Sequence, residues 1–278
     1  MSTQTTTTAA ETATSTIATT VFPFLRYQDA RAAIRWLGAA LGFAENGVFD
    51  GPDGSVAHAE LRFGDGLVML GSYRDDALAV KPPRLLGGST HSVCLVDGDP
   101  DARHARAVAA GAEVVRPLAD QHYGARDFTC RDPEGTLWTV STYRPAGGAD
   151  LNVEIAYADG RAAVDWLQRA FGLEPQLVVP GDDGGVAHAE LRCEGESAVV
   201  MLHGASAVSQ LGVGSARRLG GTSGGVYLVV ADPNAHHARA RAAGAEVVRP
   251  LETMDYGSRE YSCRDLEGNL WSFGTYRP

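Results

Sequence analysis

Two seven-residue segments of this chain have the same sequence and the same alternation of side-chain types. Val56–Arg62 and Val186–Arg192 both read VAHAELR. Successive side chains of a β-strand point to opposite faces, so the histidine, glutamate and arginine of each segment share one face with its valine. The alanines and the leucine share the other face, which suits packing beneath a helix. The polar residues are His58, Glu60, Arg62, His188, Glu190 and Arg192.

A histidine next to a carboxylate can do chemistry in two ways. Imidazole titrates near neutral pH, so His58–Glu60 and His188–Glu190 could act as general acid–base pairs. All six polar residues could instead bind the polar groups of a ligand. A third interpretation needs no ligand, because His-x-Glu-x-Arg on one strand face could form a row of ion pairs that keeps each glutamate ionised. The residues alone leave these three interpretations open.

These segments belong to a duplication that covers nearly the whole chain. Gly111–Leu118 recurs as Gly244–Leu251, and Thr142–Pro145 recurs as the last four residues. A repeat of this length indicates two copies of one structural unit. We predict a tail at 1–20, a first domain at 21–145, a linker at 146–150 and a second domain at 151–278.

Local signals predict the elements that position the polar residues. In the first copy, Asp29 is expected to cap a helix that ends at Gly42, and Asp99-Pro100 is expected to start a second helix that Gly111 closes. Each repeat then contains two βαβββ-like halves, which gives four modules in the chain. The strands of the first repeat are predicted at 21–27, 46–50, 56–63, 67–73, 91–96, 113–118, 126–131 and 137–143.

The motifs and their order resemble those of the glyoxalase/bleomycin-resistance, or vicinal oxygen chelate, superfamily. The resemblance rests on the HAELR strand followed by a turn and VML, and on DPEGTLW at Asp132–Trp138, which returns as DLEGNLW at Asp265–Trp271. It implies an α+β fold in which four βαβββ modules form cupped mixed sheets with helices on the convex side. The two copies would form an internal pseudo-dimer, and the polar strand faces would line the cups.

The resemblance also implies where a metal would bind. Metal-dependent members use a ligand on the first strand, the glutamate of the E-L strand, a histidine that opens the second half and a glutamate after the closing motif. If the halves pair across the repeats, the residues at these positions are Phe22, Glu60, Gly224 and Ser272 in one cleft, and Asn152, Glu190, His91 and Thr139 in the other. A hydroxyl replaces a carboxylate poorly as a ligand, so we predict no cofactor. A divalent metal held by His91 and Glu190 is the alternative, and His91 is otherwise a candidate ligand-binding residue.

The composition of the chain limits the classes of partner that it is expected to bind. The net charge of −10 argues against nucleic acid, which is bound mainly through lysine and arginine. The threonine-rich start lacks the apolar core of a signal peptide, and no later segment has the length of apolar residues that a membrane helix needs. We therefore expect a cytoplasmic protein whose partner is a small molecule.

Two functions fit these observations. The first is a protein that binds a small organic molecule without a complete metal site, similar to bleomycin-resistance and other antibiotic-sequestering proteins. An acidic cleft in this chain would suit a cationic or glycosylated drug. The alternative is a metal-free or degraded metal-dependent glyoxalase-like lyase or isomerase of detoxification or secondary metabolism, which would use the His–Glu pairs. The sequence does not identify the ligand, the number of working clefts or any oligomer beyond the pseudo-dimer.

Overall fold

The computed structural model describes residues 20–182, 184–193, 199–204 and 212–278, so the predicted tail lies almost entirely outside the described residues. The strands are β1 Val21–Tyr27, β2 Ala44–Asp50, β3 Val56–Phe63, β4 Gly66–Ser72, β5 His91–Val96, β6 Glu113–Asp120, β7 Arg126–Arg131, β8 Leu137–Ser141, β9 Leu151–Ala156, β10 Leu173–Pro180, β11 Val186–Cys193, β12 Val199–His203, β13 Gly224–Val229, β14 Glu246–Thr253, β15 Arg259–Arg264 and β16 Leu270–Gly274. The helices are α1 Ala30–Leu41, α2 Pro83–Leu86, α3 Pro100–Ala109, α4 Gly160–Phe171, α5 Ala216–Leu219 and α6 Pro233–Ala242. Their order confirms four βαβββ modules.

The two long helices of the first repeat begin where the local signals predict, and α1 also ends at the predicted residue. The Asp29 side chain accepts a hydrogen bond from the backbone N–H of Ala32, and Gly42 ends α1 in the left-handed conformation with φ of 79°. Asp99 caps α3 in the same way, although α3 ends at Ala109. These caps satisfy backbone groups that have no partner inside the helix. None of the described helices has the length and apolar character needed to cross a membrane.

The strands form two eight-stranded mixed sheets, and each sheet draws on both repeats. Sheet A has the order β14-β15-β16-β13-β1-β4-β3-β2, and sheet B has the order β10-β11-β12-β9-β5-β8-β7-β6. The junction in each sheet is an antiparallel pair between the repeats, β1 with β13 in sheet A and β5 with β9 in sheet B. Each cup is therefore built from the first half of one repeat and the second half of the other.

The hydrophobic cores follow the repeats instead of the sheets. One core joins α1 and α3 to strands of the first repeat in both sheets, and a second core does the same with α4, α6 and the second repeat. Each repeat is thus a packed unit that contributes half of each cup. Amphipathic helices cover one side of the strands, which leaves the opposite strand faces free to line the cups.

The closing DPEGTLW motif fixes the two halves of each repeat to one another. Asp132 accepts hydrogen bonds from Trp138 Nε1 at 3.1 Å and from the hydroxyl of Tyr27, on β1, at 2.8 Å. All three side chains are buried. Asp265 does the same with Trp271 and Tyr157 in the second repeat. The motif is a structural device that ties the end of each repeat to its first strand.

Candidate functional site

The cup of sheet A contains a cavity of about 580 Å³. Strands of both repeats surround it, so neither repeat could form it alone. Its lining is rich in aromatic and sulfur-containing side chains and carries three arginines. The lining residues are Phe24, Arg26, Phe49, Ala57, His58, Met69, Arg74, Leu78, Tyr227, Arg249, Met254, Tyr256, Glu260, Ser272 and Tyr276.

An apolar cluster forms the floor of this cavity. Phe22 packs with Met69 of β4 and Tyr227 of β13, and Phe24 and Tyr276 lie against this group. Phe22 and Phe24 are two residues apart on β1, so their side chains point to the same face of sheet A. Aromatic rings offer flat, rigid contact surfaces, which suits the cavity to a ligand with a ring system.

The first His–Glu pair lies in this cup and makes a contact between the repeats. His58 Nε2 is 3.2 Å from Glu60 Oε1, and the hydroxyl of Tyr276 donates to the same carboxylate at 2.5 Å. The Asn46 amide donates to it at 2.8 Å. Burial alone would raise the pKa of Glu60, but these hydrogen bonds outweigh burial and lower it. Glu60 is therefore an ionised acceptor whose partners are already in place.

The cup of sheet B repeats this arrangement with the roles of the repeats exchanged. His188 Nε2 is 3.4 Å from Glu190 Oε1, and the hydroxyl of Tyr143 donates to Glu190 at 2.5 Å. Burial, followed by the contact with Glu190, raises the pKa of Tyr143 to about 12. The tyrosine belongs to the Thr-Tyr-Arg-Pro motif, whose recurrence in the sequence indicated only a duplication.

A second His–carboxylate pair in sheet B was missed from the sequence. His203 Nε2 lies 3.4 Å from Glu154 Oε1, and Ser92 donates to the same carboxylate at 2.5 Å. Burial alone would raise the pKa of Glu154, but His203 and Ser92 lower it to about 2. The ring centres of His203 and His188 are 5.3 Å apart, so the two pairs are neighbours. The available signal was Glu154, the one charged residue in the strand Leu151–Ala156.

The predicted alternation of β3 is broken by one residue. Phe49 pairs with His58 and Asp50 with Val56, which leaves Ala57 as an extra residue in the strand. The extra residue interrupts the alternation of side chains between the two faces of the strand. Val56 therefore packs in the core, and Ala57 lines the cavity together with His58. The prediction that Val56 shares the polar face and Ala57 the helix-facing side was wrong. β11 has the same irregularity before His188.

Of the remaining predicted residues, Arg62 and Arg192 lie near the ends of β3 and β11, and His91 lies in β5. Arg62 and Arg192 are half-buried, and Arg192 donates to the backbone carbonyl of Ala146 in the predicted linker. His91 pairs across the strands with Ile155, a core residue, whereas the next residue, Ser92, pairs with Glu154. His91 therefore points away from the cup, and burial lowers its pKa to about 3.

The positions that bind metal in the superfamily that this sequence resembles do not converge here. Sheet A offers Glu60 but has Phe22 and Gly224 at two of the other positions, which provide no side-chain ligand. In sheet B, Glu190 lies in the cup, whereas His91 faces the opposite side. Among the described residues no group of three or more His, Cys, Asp or Glu side chains is arranged to hold a metal ion. The residues present do not fit the family's metal site.

Comparisons with known proteins agree with this architecture. Maize glyoxalase I has a similar structure, with a TM-score of 0.71, 16% identity and 92% coverage of each chain. A putative dioxygenase from Bacillus subtilis superposes with a TM-score of 0.62 at 14% identity, covering 96% of this chain and 87% of that one. These likenesses show the fold alone. An uncharacterised protein of Mycobacterium bovis is 38% identical over 120 residues, which is 42% of this chain and 79% of that protein.

The sequence profile of the Glyoxalase/Bleomycin resistance protein/Dioxygenase superfamily matches twice, at residues 16–140 and 151–273. The two matches cover both repeats and most of the chain. The chain is a member of this superfamily with two tandem domains.

Proposed function

We propose that this protein binds a small organic molecule with an aromatic ring system in the cup of sheet A, without the metal site of its enzymatic relatives. The observation that carries the proposal is the cavity itself, whose volume of about 580 Å³ lies within the range of small-molecule sites. Its aromatic side chains come from both repeats, so both copies of the duplicated unit are needed to form the binding site.

The charges in the cavity specify the ligand further. Three arginines and one glutamate line it, with Arg249 donating to Glu260 at 2.9 Å. The sequence predicted an acidic cleft for a cationic or glycosylated drug, but this lining fits a neutral or acidic ligand better than a cationic one. We infer a sequestering role of the kind that bleomycin-resistance proteins have, in which binding lowers the free concentration of a compound and no catalytic group is needed.

A neutral fluorescent probe tests this function without knowledge of the natural ligand. N-phenylnaphthylamine is apolar, bicyclic and much brighter in an apolar site than in water. We expect saturable binding of one probe per chain, with a dissociation constant on the order of ten micromolar, since apolar burial exceeds the cost of association only modestly. Titration followed by fluorescence measures it, and an absence of saturable binding would contradict the proposal.

The cup of sheet B favours a second candidate function, that of a metal-free enzyme using general acid–base catalysis. His188 and His203 each face a carboxylate through Nε2, which leaves Nδ1 to accept a proton, and their side chains are 23% and 22% exposed. A histidine held in this way can remove a proton from a carbon acid and return it to solvent. The observation that supports this function is the presence of two such pairs side by side.

Proton exchange at carbon tests the second candidate. Incubation of tetralone, an aromatic ketone, with the protein in deuterium oxide should exchange the protons next to the carbonyl faster than buffer does. The double variant His188→Ala/His203→Ala should lose about a hundredfold of that rate enhancement, the usual contribution of a general base. His58→Ala, in the other sheet, is the matched control. Equal exchange by the double variant and the unaltered protein, measured by proton NMR, would exclude this role.

A further inference from the structure

One end of the cavity in sheet A contains two arginines that share a single carboxylate. Arg26 Nη2 lies 3.4 Å from Asp76 Oδ2, and Arg74 Nε lies 3.0 Å from the same oxygen. One negative charge cannot neutralise two guanidinium groups. The group of Arg26, Arg74 and Asp76 therefore has a net positive charge, whereas Arg249 has Glu260 as its own partner.

Arg26 is buried in an unusual way for a charged residue. Its side chain is 2% exposed, yet it lines the cavity. Its side-chain hydrogen bonds to described residues are both long, one to Asp76 and one from Nη1 to the Ser72 carbonyl at 3.3 Å. The guanidinium lies 4.6 Å from the centre of the Phe24 ring. Burial, and then the charge of Arg74, lower its pKa to about 10, which agrees with a cation that lacks sufficient acceptors.

The two sheets differ at this place in a complementary way. In sheet A, Arg26 pairs with Gly71, and a side-chain carbon added to Gly71 would meet Arg26 Nη1 at 2.7 Å. In sheet B the corresponding pair is Ala156 with His203. The large side chain comes from β1 in one sheet and from β12 in the other. Gly71 thus makes room for an arginine that only the cup of sheet A contains.

We propose that Arg26, together with Arg74, binds an anionic group of the aromatic ligand, such as a carboxylate, sulfonate or phosphate; this rests on the function proposed above for the same cavity. The planar guanidinium of Arg26 would pair with the oxygens of the acid. The ring system would then extend along the aromatic lining towards Tyr227 and Tyr276. The protein would thereby select aromatic acids over neutral molecules of the same shape.

Two probes with the same ring system distinguish the contribution of the acidic group to binding from that of the aromatic rings. Anilinonaphthalene sulfonate carries an anionic group, and N-phenylnaphthylamine does not. We expect the unaltered protein to bind the sulfonate about tenfold more tightly, as one or two charge-assisted hydrogen bonds would give. Arg26→Met should abolish that preference and still bind the neutral probe, and Arg26→Lys should keep part of it. Arg31→Met removes an exposed arginine outside the cavity and should leave the preference unchanged.

The outcomes distinguish this inference from the function on which it rests. If neither probe binds the unaltered protein, the proposed function fails and the inference with it. If both bind equally well, or if the preference survives in Arg26→Met, the inference alone is overturned. Should Arg26→Met not fold, Arg74→Met decides, because the Arg74 side chain is 53% exposed and its replacement leaves the buried residues in place. Loss of the preference in that variant supports the inference, and retention overturns it.

Discussion

The variant Ala57→Trp is expected to bind the neutral probe N-phenylnaphthylamine at least about tenfold more weakly, because the ligand loses more than 1.4 kcal/mol of contacts. Ala57 is the bulged residue of β3, and its side chain lines the cavity of sheet A. An indole at this position would occupy the space of the ligand, while the hydrophobic core lies on the other side of the strand. Fluorescence titration of the purified variant measures the change.

The duplication provides a matched control for this variant. Ala187 holds the corresponding place in β11 of sheet B, beside His188. Ala187→Trp adds the same side chain to the other cup, so it should leave the affinity for the probe within about twofold of the original, the usual range for a residue far from a site. Equal weakening by both substitutions, or by neither, would contradict the assignment of the binding site to sheet A.

The second large effect concerns stability. Asp132→Ala is expected to lower the free energy of unfolding by about 4 kcal/mol, since it leaves several buried donors without an acceptor. The buried donors are Trp138 Nε1, the Tyr27 hydroxyl and the backbone N–H of Thr136, and the partly buried N–H of Glu134 also loses its acceptor. Chemical denaturation measures the loss. Asp75→Ala, at an exposed loop position, is the control and should change stability by less than about 0.5 kcal/mol.

A small loss of stability in Asp132→Ala, comparable with that of the control, would show that the closing motif does not hold the two halves together.

The same substitution at Asp265 probes the second repeat, where Tyr157 and Trp271 donate to that carboxylate. We expect a similar loss there, because Asp265 also accepts hydrogen bonds from the backbone N–H groups of Glu267 and Asn269. Both motifs would then contribute to the folding of the two repeats and not to ligand binding.

Local rules made much of the fold predictable. The strands Val56–Phe63 and His91–Val96 have the predicted bounds, and Asp29 caps α1 as expected. These features depend on residues close together in the sequence, such as a capping carboxylate followed by a helix or a run with strand periodicity. Because the sequence is duplicated, the same elements were expected in the second half of the chain.

The candidate site was less predictable because it depends on contacts between distant strands. The pairing of His203 with Glu154 arises from the parallel alignment of β12 with β9, which no local pattern reveals. The position of Ala57 in the cavity follows from a bulge, and the placement of His91 outside the cup follows from the register of β5 against β9. A shift of one residue reverses which face a side chain occupies, so periodicity alone could not decide these cases.

Differences between the repeats were more informative about the site than their similarities. The shared His–Glu–Tyr groups occur in both cups, whereas Phe24 and Arg26 occupy the strand positions that Glu154 and Ala156 hold in sheet B. These substitutions give sheet A an apolar cavity with a cationic end and give sheet B a polar cup with two His–carboxylate pairs. The duplication has therefore produced two cups of different chemistry on one framework.

A crystal structure of the protein soaked with N-phenylnaphthylamine tests the central claim most directly. The proposed function predicts one probe per chain in the cup of sheet A, with its rings against Phe24, Tyr227 and Tyr276. Binding in the cup of sheet B alone, or on the outer surface with the sheet A cavity left empty, would contradict it.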